Sequence, residues 1–421
     1  MKRNFEKYIN LGRTFVENHY KTEASKTQQA AKAVATAQQP TSYKIKDFFE
    51  NNILGWFKHY IKSRFGPKAD YKSYDPSMNP SEGVYNFKGT AKIALVADWA
   101  NDTDESDFIG GQIATHEPDY TIHLGDTYYV GASHEIKSNF INPGSSWYRG
   151  TLGSFALLGN HEMYARGVSY FRDLLPSMGA HGELGQGASY MSLSNDYWII
   201  IGLDTGYNSV GKPILEYIPI SRFKPDCKLE NSFINWLKSK YDLKNDKRGI
   251  VLLSHHQYCS AFESQYLRPA EQLAEIIGKD RAILWYWGHE HRLAIYGKYQ
   301  TNEGLTAYGR CLGHGGMPIE LVNVSKIKHQ KASESNLVLF DNRVCKEVEK
   351  VEIGHNGYII MTINNSNLKT DYYDENELII SEEWEADLQN GKIIGNDFAI
   401  HNAELRNKPY LYADKKERAI Q

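Results

Sequence analysis

The sequence predicts an α/β fold, and three features of the chain carry that expectation. Six short apolar runs, KIALVAD, YTIHLGD, SFALLGN, YWIIIGLD, GIVLLSH and AILWYWGH, follow one another from residue 92 to residue 289, each ending in a polar and often glycine-containing turn. Runs of that length, without polar alternation, are what strands buried on both faces look like. Helical stretches, LENSFINWLKSKY and PAEQLAEIIGK, intervene between the later runs, which favours a sheet with covered faces. Beyond residue 335, NLVLF, GYIIMTI, LKTDYY and ELIISEEW alternate like antiparallel strands with an exposed side and are expected to complete the sheet layer of the same domain.

A chain of 421 residues has room for one large catalytic domain with extensions, or for two to three smaller ones, so a sizeable core is available. Hydrophobic residues at 41% and charged residues at 24% are the balance of a folded globular protein. The formal charge of −3 is spread over mixed acidic and basic residues, which argues against nucleic acid or an anionic membrane as the main partner. Cys227, Cys259, Cys311 and Cys345 are scattered without a CxxC pair, so reduced, intracellular thiols are expected. The basic start MKRNFEKYINLGRTF lacks an apolar signal core, and no stretch approaches the ~20 apolar residues of a membrane span, so the expected location is cytoplasmic.

Residues 22–42, rich in Ala, Gln and Thr, read as a solvated helix or linker, and residues 43–65 as an amphipathic helix carrying Phe48, Phe49, Ile53, Trp56 and Phe57. That helix either packs on the catalytic domain or meets a partner or a membrane surface. The expected division is a helical N-terminal extension with its linker (1–90), a catalytic domain (91–385) and a C-terminal tail (386–421).

Chemistry collects at the ends of the apolar runs: Asp98, Asp126 in LGDTYYVG, Asn160 and His161 in LGNHE, His255 and His256 in LLSHHQ, and His289 and His291 in WGHEHR. Carboxyl ends of strands are where open α/β sheets bind ligands. One carboxylate there is an ordinary turn residue and one histidine an ordinary core residue, but the ordered set is a metal-binding pattern. Mixed Asp, Asn and His donors suit Zn, Mn or Fe rather than the all-oxygen shell of Ca or the thiolate cage of structural zinc. His123, inside the second run, reads as a core or supporting residue.

This ordered set resembles the calcineurin-like metallophosphoesterase superfamily and, within it, the purple-acid-phosphatase-like branch, over roughly residues 91–385. The resemblance implies a four-layer α+β sandwich of two mixed sheets flanked by helices. In that branch the first block lacks the histidine of the wider superfamily and a tyrosine in Gly-Asp-x-x-Tyr substitutes for it; here the third position is Ala100 and the spacing falls on Tyr129. By carry-over, Asp98, Asp126, Tyr129 and His291 hold one metal ion, Asp126, Asn160, His255 and His289 hold a second, and Asp126 bridges. The resemblance implies iron paired with Zn, Mn or a second Fe, with a bridging hydroxide attacking phosphorus in line. His161 would protonate or hydrogen-bond the leaving oxygen, with His256 as a weaker catalytic candidate. Departures are Ala100 in place of the branch's usual glycine, a helical reading of residues 1–90 where plant-type members carry a sandwich domain, and no secretion signal.

Substrate choice is expected from loops. In GRCLGHGGMP, Arg310 and His314 are candidates for phosphate or leaving-group contact, unless the stretch is only a tight turn; Tyr164, Arg166, Tyr170 and Phe171 form an aromatic, cationic wall or simply pack a helix. The expected function is a dinuclear-metal phosphoesterase acting on small phosphate esters. Alternatives are a nucleotide or cyclic-nucleotide phosphodiesterase of the same fold, and an effector recruited to a partner or membrane through residues 43–65.

Overall fold

A computed structural model describes residues 66–211, 225–279, 281–319, 321–322, 335–348, 351–407 and 419–420. The amphipathic stretch at 43–65 and the Ala/Gln-rich linker lie outside the described residues. Within the expected helical extension, residues 66–90 form turns and a short strand, β1 (Val84–Asn86), instead of a helix.

Two mixed eight-stranded sheets face each other. One has the order β1, β6 (Met191–Ser194), β7 (Trp198–Gly202), β8 (Gly249–Ser254), β9 (Ala282–Trp287), β11 (Thr306–Leu312), β10 (Leu293–Gln300), β12 (Leu337–Phe340). The other runs β18 (Lys392–Ile400), β17 (Leu378–Asp387), β16 (Asn367–Asp374), β15 (Gly357–Asn364), β2 (Thr90–Val96), β3 (Tyr120–His123), β4 (Gly153–Ala156), β5 (Gly179–Ala180). The six apolar runs are β2, β3, β4, β7, β8 and β9. Strand β17 runs through residue 385 and β18 extends the same sheet to Ile400, so the sheet continues past the boundary placed at 385.

Side chains of a strand alternate between faces, and here both faces are apolar. On β2, Ile93 and Leu95 enter the core between the sheets with Leu253, Leu284 and Met361, while Ala94 and Val96 face an outer layer. That layer includes Ile109 and Ile113 of α1 (Asp104–Thr115), whose first turn is closed by reciprocal hydrogen bonds between Thr103 and Ser106. The outer face of the other sheet presents Ile199, Ile250, Trp285 and Trp287 to the layer carrying Phe233 and Leu237 of α3 (Asn231–Lys240) and Leu273 and Ile277 of α4 (Leu267–Ile277). The four layers are helices, sheet, sheet, helices. The loops that follow β2, β3 and β4 carry the first candidate site residues, and the third of them opens α2 (Asn160–Tyr164).

Arg310 corrects one expectation. The stretch around it is not a loop but β11, and the side chain points between the sheets with no exposed surface. Its guanidinium pairs with Glu382 of β17 at 2.6 Å and donates to the carbonyls of Tyr296 and Ala419, so it cross-links the two sheets and is not available to a substrate. His314, expected beside it, is likewise buried; its main-chain oxygen accepts from Gly357 and Asn356, and burial pushes its imidazole down to about 4. Breaking a buried pair leaves an uncompensated charge, so Arg310→Met alone is expected to lower unfolding free energy by about 3–5 kcal/mol. The Arg310→Met/Glu382→Leu double variant is expected to recover much of that loss, measured by urea denaturation.

Candidate metal centre

Every residue of the cluster follows a strand end. Asp98 leaves β2, Asp126 leaves β3, Asn160 and His161 open α2 after β4, His255 ends the run of β8, and His289 and His291 follow β9. Because β2, β3 and β4 lie in one sheet and β8 and β9 in the other, the two sheets deliver donors to a shared edge. Asp98, Asp126 and His289 all have left-handed backbone, with φ of 56°, 71° and 66°. Non-glycine residues hold that conformation where surrounding contacts over-determine it, as at binding sites. Glycine precedes Asp126 and Asn160 for a steric reason: a Cβ on Gly125 would stand 2.8 Å from His255 Nδ1, and one on Gly159 would stand 2.1 Å from the Asp126 carboxylate.

The contacts form two linked groups. In the first, Asp98 Oδ1 accepts from the Tyr128 hydroxyl at 2.7 Å, the same hydroxyl meets His291 Nε2 at 2.8 Å, and Asp126 Oδ2 lies 3.4 Å away. Asp98 Oδ2 accepts the main-chain N–H of His289 at 2.8 Å. In the second group, His255 Nδ1 donates to the Leu124 carbonyl, which aims Nε2 at Asp126 Oδ2 (3.1 Å) and Asn160 Oδ1 (3.2 Å). Asn160 Nδ2 donates to Tyr164, turning the amide oxygen inward. The rings of His256 and His289 lie 4.7 Å apart, tilted by 42°, beside His255. Donor atoms of Asp98, Asp126 and His255 fall within 4.8 Å of one another, as do those of His255, His256 and His289.

Tyr128 occupies the place expected for Tyr129. Its N–H donates to the Ala100 carbonyl at 2.8 Å, docking this residue on the Asp98 loop with its ring turned inward. Tyr128 and Tyr129 lie in a turn, their ring centroids 6.3 Å apart and their planes at 74°. Tyr129 is half-buried, and its carbonyl accepts from His161 Nδ1 at 2.7 Å. His161 thereby points Nε2 at Asp126 Oδ2, 3.8 Å away, beside the rings of Tyr128 and Tyr164.

Three acids had no assigned part in the sequence reading. Glu162 accepts the N–H groups of Gly159 and Asp126, closing the α2 amino terminus onto the Asp126 loop; it stands in the LGNHE run but has no ligand spacing. Glu135 accepts three main-chain N–H groups, at 129, 130 and 132, and nothing in its sequence context marks it. Glu263 Oε2 lies 4.0 Å from His289 Nε2. Of the aromatic wall, Tyr170 and Phe171 are core residues, and Tyr164 lies against Asn160 and His161 of the cluster. His123 is core, packed against Trp99, Phe140 and Trp147, with burial pushing it down to about 3.

The donor set fits cations. Burial alone would lower His255, but Asp126, then Asp98 and Glu162, outweigh it and raise the imidazole to about 9. An imidazolium is thus the positive charge that the converging oxygens require when no metal is bound. Burial, then Asp98 and Asp126, hold Tyr128 well above its ordinary value, so the phenol stays protonated under the same conditions.

Residues 91–293 match the family described as calcineurin-like phosphoesterase, and this part of the chain is a domain of that superfamily. No curated protein matches the sequence. Among solved structures, one titled as the structure of PhoD is 11% identical with a TM-score of 0.44, covering 75% of this chain and 73% of that one. GAP50, described as the anchor in the inner membrane complex of Plasmodium, is 12% identical with a TM-score of 0.42, covering 79% and 95%. Among the described residues, no helix is long and apolar enough to cross a membrane.

Two outcomes are expected. After aerobic loading with Fe(III), a broad phenolate-to-iron absorption band is lost in Tyr128→Phe and kept in Tyr129→Phe; the reverse pattern restores the assignment by spacing. In chelator-stripped protein, His255 has a folded pKa near 9 against about 6.5 unfolded, so its contribution is full below 6.5 and disappears as pH rises through 9. The melting temperature of stripped wild type therefore falls over that window more steeply than that of His255→Asn.

Proposed function

We propose that the chain is a metal-dependent phosphoesterase with a dinuclear centre of the purple-acid-phosphatase-like kind, acting on small phosphate esters. The observation that carries this reading is the position of Asp126, whose Oδ2 lies against both donor groups and so suits a bridging ligand. Asp98, Asp126, Tyr128 and His291 would hold one ion, and Asp126, Asn160, His255 and His289 the other, with His256 a further donor at the second position. Bound there, two cations supply a shared water of lowered pKa and a positive clamp on phosphoryl oxygens.

The remaining work falls to the chain. Asp98 and Asp126 are buried, so their charge acts at low dielectric, and the main-chain N–H groups of His289 and His161 donate to their carboxylates and keep them oriented. His291, with 25% of its side chain exposed, marks the face open to solvent, where a phosphate ester would enter. His161 is held by the Tyr129 carbonyl with one nitrogen turned toward Asp126, in position to hydrogen-bond or protonate the leaving oxygen. Burial lowers its pKa, so a proton held there is readily given up. Tyr164 lies beside His161 and offers a ring to the leaving group.

Asn160→Ala is expected to abolish hydrolysis, and activity at wild-type level in that variant would refute the reading. Replacing His161 by Ala is expected to slow kcat by roughly 10²–10⁴-fold for an alkyl phosphate and far less for p-nitrophenyl phosphate, whose leaving group needs no proton. Equal losses on both substrates would remove the proton-donor role.

A further inference from the structure

We propose that Cys345, His355 and Glu375 form a second, separate metal site, a mononuclear centre for zinc or a similar borderline-soft divalent ion. None of these residues takes part in the first centre. Cys345 immediately precedes β13 (Lys346–Val348), and His355 follows β14 (Val351–Ile353). Antiparallel pairing of these strands, together with the Cys345 N–H bond to the Ile353 carbonyl, brings the two residues side by side. Glu375 arrives from the turn between β16 and β17.

The three donors converge. Cys345 Sγ is 3.9 Å from Glu375 Oε1, His355 Nδ1 is 2.8 Å from Glu375 Oε2, and one donor atom from each residue lies within 4.8 Å of the others. Tetrahedral zinc with a bond of about 2.3 Å to sulfur and about 2.0–2.1 Å to nitrogen and oxygen sets its ligands about 3.3–3.6 Å apart. Small side-chain adjustments reach that figure from both observed separations.

A nucleophilic relay is the competing use of the same residues. There the imidazole stands between thiol and carboxylate, using opposite nitrogens, which separates sulfur from carboxylate by about 7 Å. The observed 3.9 Å contact places sulfur and carboxylate on the same side, which favours a shared ion.

Supporting contacts fix the geometry. Glu375 Oε1 accepts the Asn356 N–H at 2.6 Å, and Asn356 is itself anchored through Nδ2 to the carbonyls of His314 and Met317. Beneath lies the pair of Arg343 with Asp341 and Asp374, which fastens the same turn. All three donors are half-buried, accessible to an ion without being free to reorient. A thiolate and a carboxylate together balance a dication, and the thiolate selects zinc over manganese or magnesium.

The test is cobalt substitution in the full chain, stripped by chelator and kept reduced. A sulfur ligand gives Co(II) an intense near-ultraviolet charge-transfer band, and the first centre offers no sulfur. The band is expected in wild type, with the intensity of one sulfur-ligated Co(II) per chain at saturation, and displaced by zinc. It should vanish in Cys345→Ser, weaken in Glu375→Gln and His355→Asn, and persist in Asn160→Ala. Absence of the band in wild type, or its survival in Cys345→Ser, would overturn the proposal. So would rapid alkylation of the stripped protein by iodoacetamide that slows in His355→Asn, since that marks a nucleophilic pair. If Cys345→Ser does not fold, the other two ligand variants decide, an unchanged band in both counting against the site.

Discussion

The Asp126 carboxylate ties the two sheets together at their carboxyl edge. It leaves β3 in one sheet and meets His255 from β8 in the other, while its second oxygen accepts the His161 N–H at 2.8 Å. Asp98 makes the corresponding connection through the His289 N–H and His291. Charges at this depth are costly unless paired, and the pairing crosses from sheet to sheet. The sandwich and the site are therefore one construction: the core sets the distance between the sheets, and that distance brings donors from both within reach of one another.

A second cross-link, Arg310 with Glu382, sits within the inter-sheet core. It performs mechanically what Asp126 and His255 perform at the edge, holding strands that share no main-chain hydrogen bonds. Its charges are fully consumed internally, whereas at the edge the acids outweigh the bases. His255 rises to about 9 because the oxygens around it exceed what the described side chains can neutralise, and a cation satisfies that excess.

Much of this was legible in the sequence, for reasons that particular residues make clear. The strands β2, β3, β4, β7, β8 and β9 are buried on both faces, so their composition announces them without regard to context. Asp98, Asp126, Asn160, His255, His289 and His291 were legible because each closes such a strand. Choosing between Tyr128 and Tyr129 was beyond spacing alone, since it depends on the Tyr128 bond to Ala100, a contact between two loops. Arg310 misled because Gly309 and the glycines after it read as a turn, while its partner Glu382 lies 72 residues away. Glu135 and Glu162 hold main-chain N–H groups, a task that leaves no spacing signature. Cys345, His355 and Glu375 are brought together by a hairpin and a distant turn, so no local motif announces them either.

Electron paramagnetic resonance of the protein loaded with Mn(II) tests most directly whether Asp126 joins two ions. The account predicts an exchange-coupled signal from a pair of manganese ions, lost in Asp126→Asn. A spectrum showing only isolated Mn(II) at saturation in wild type would contradict it.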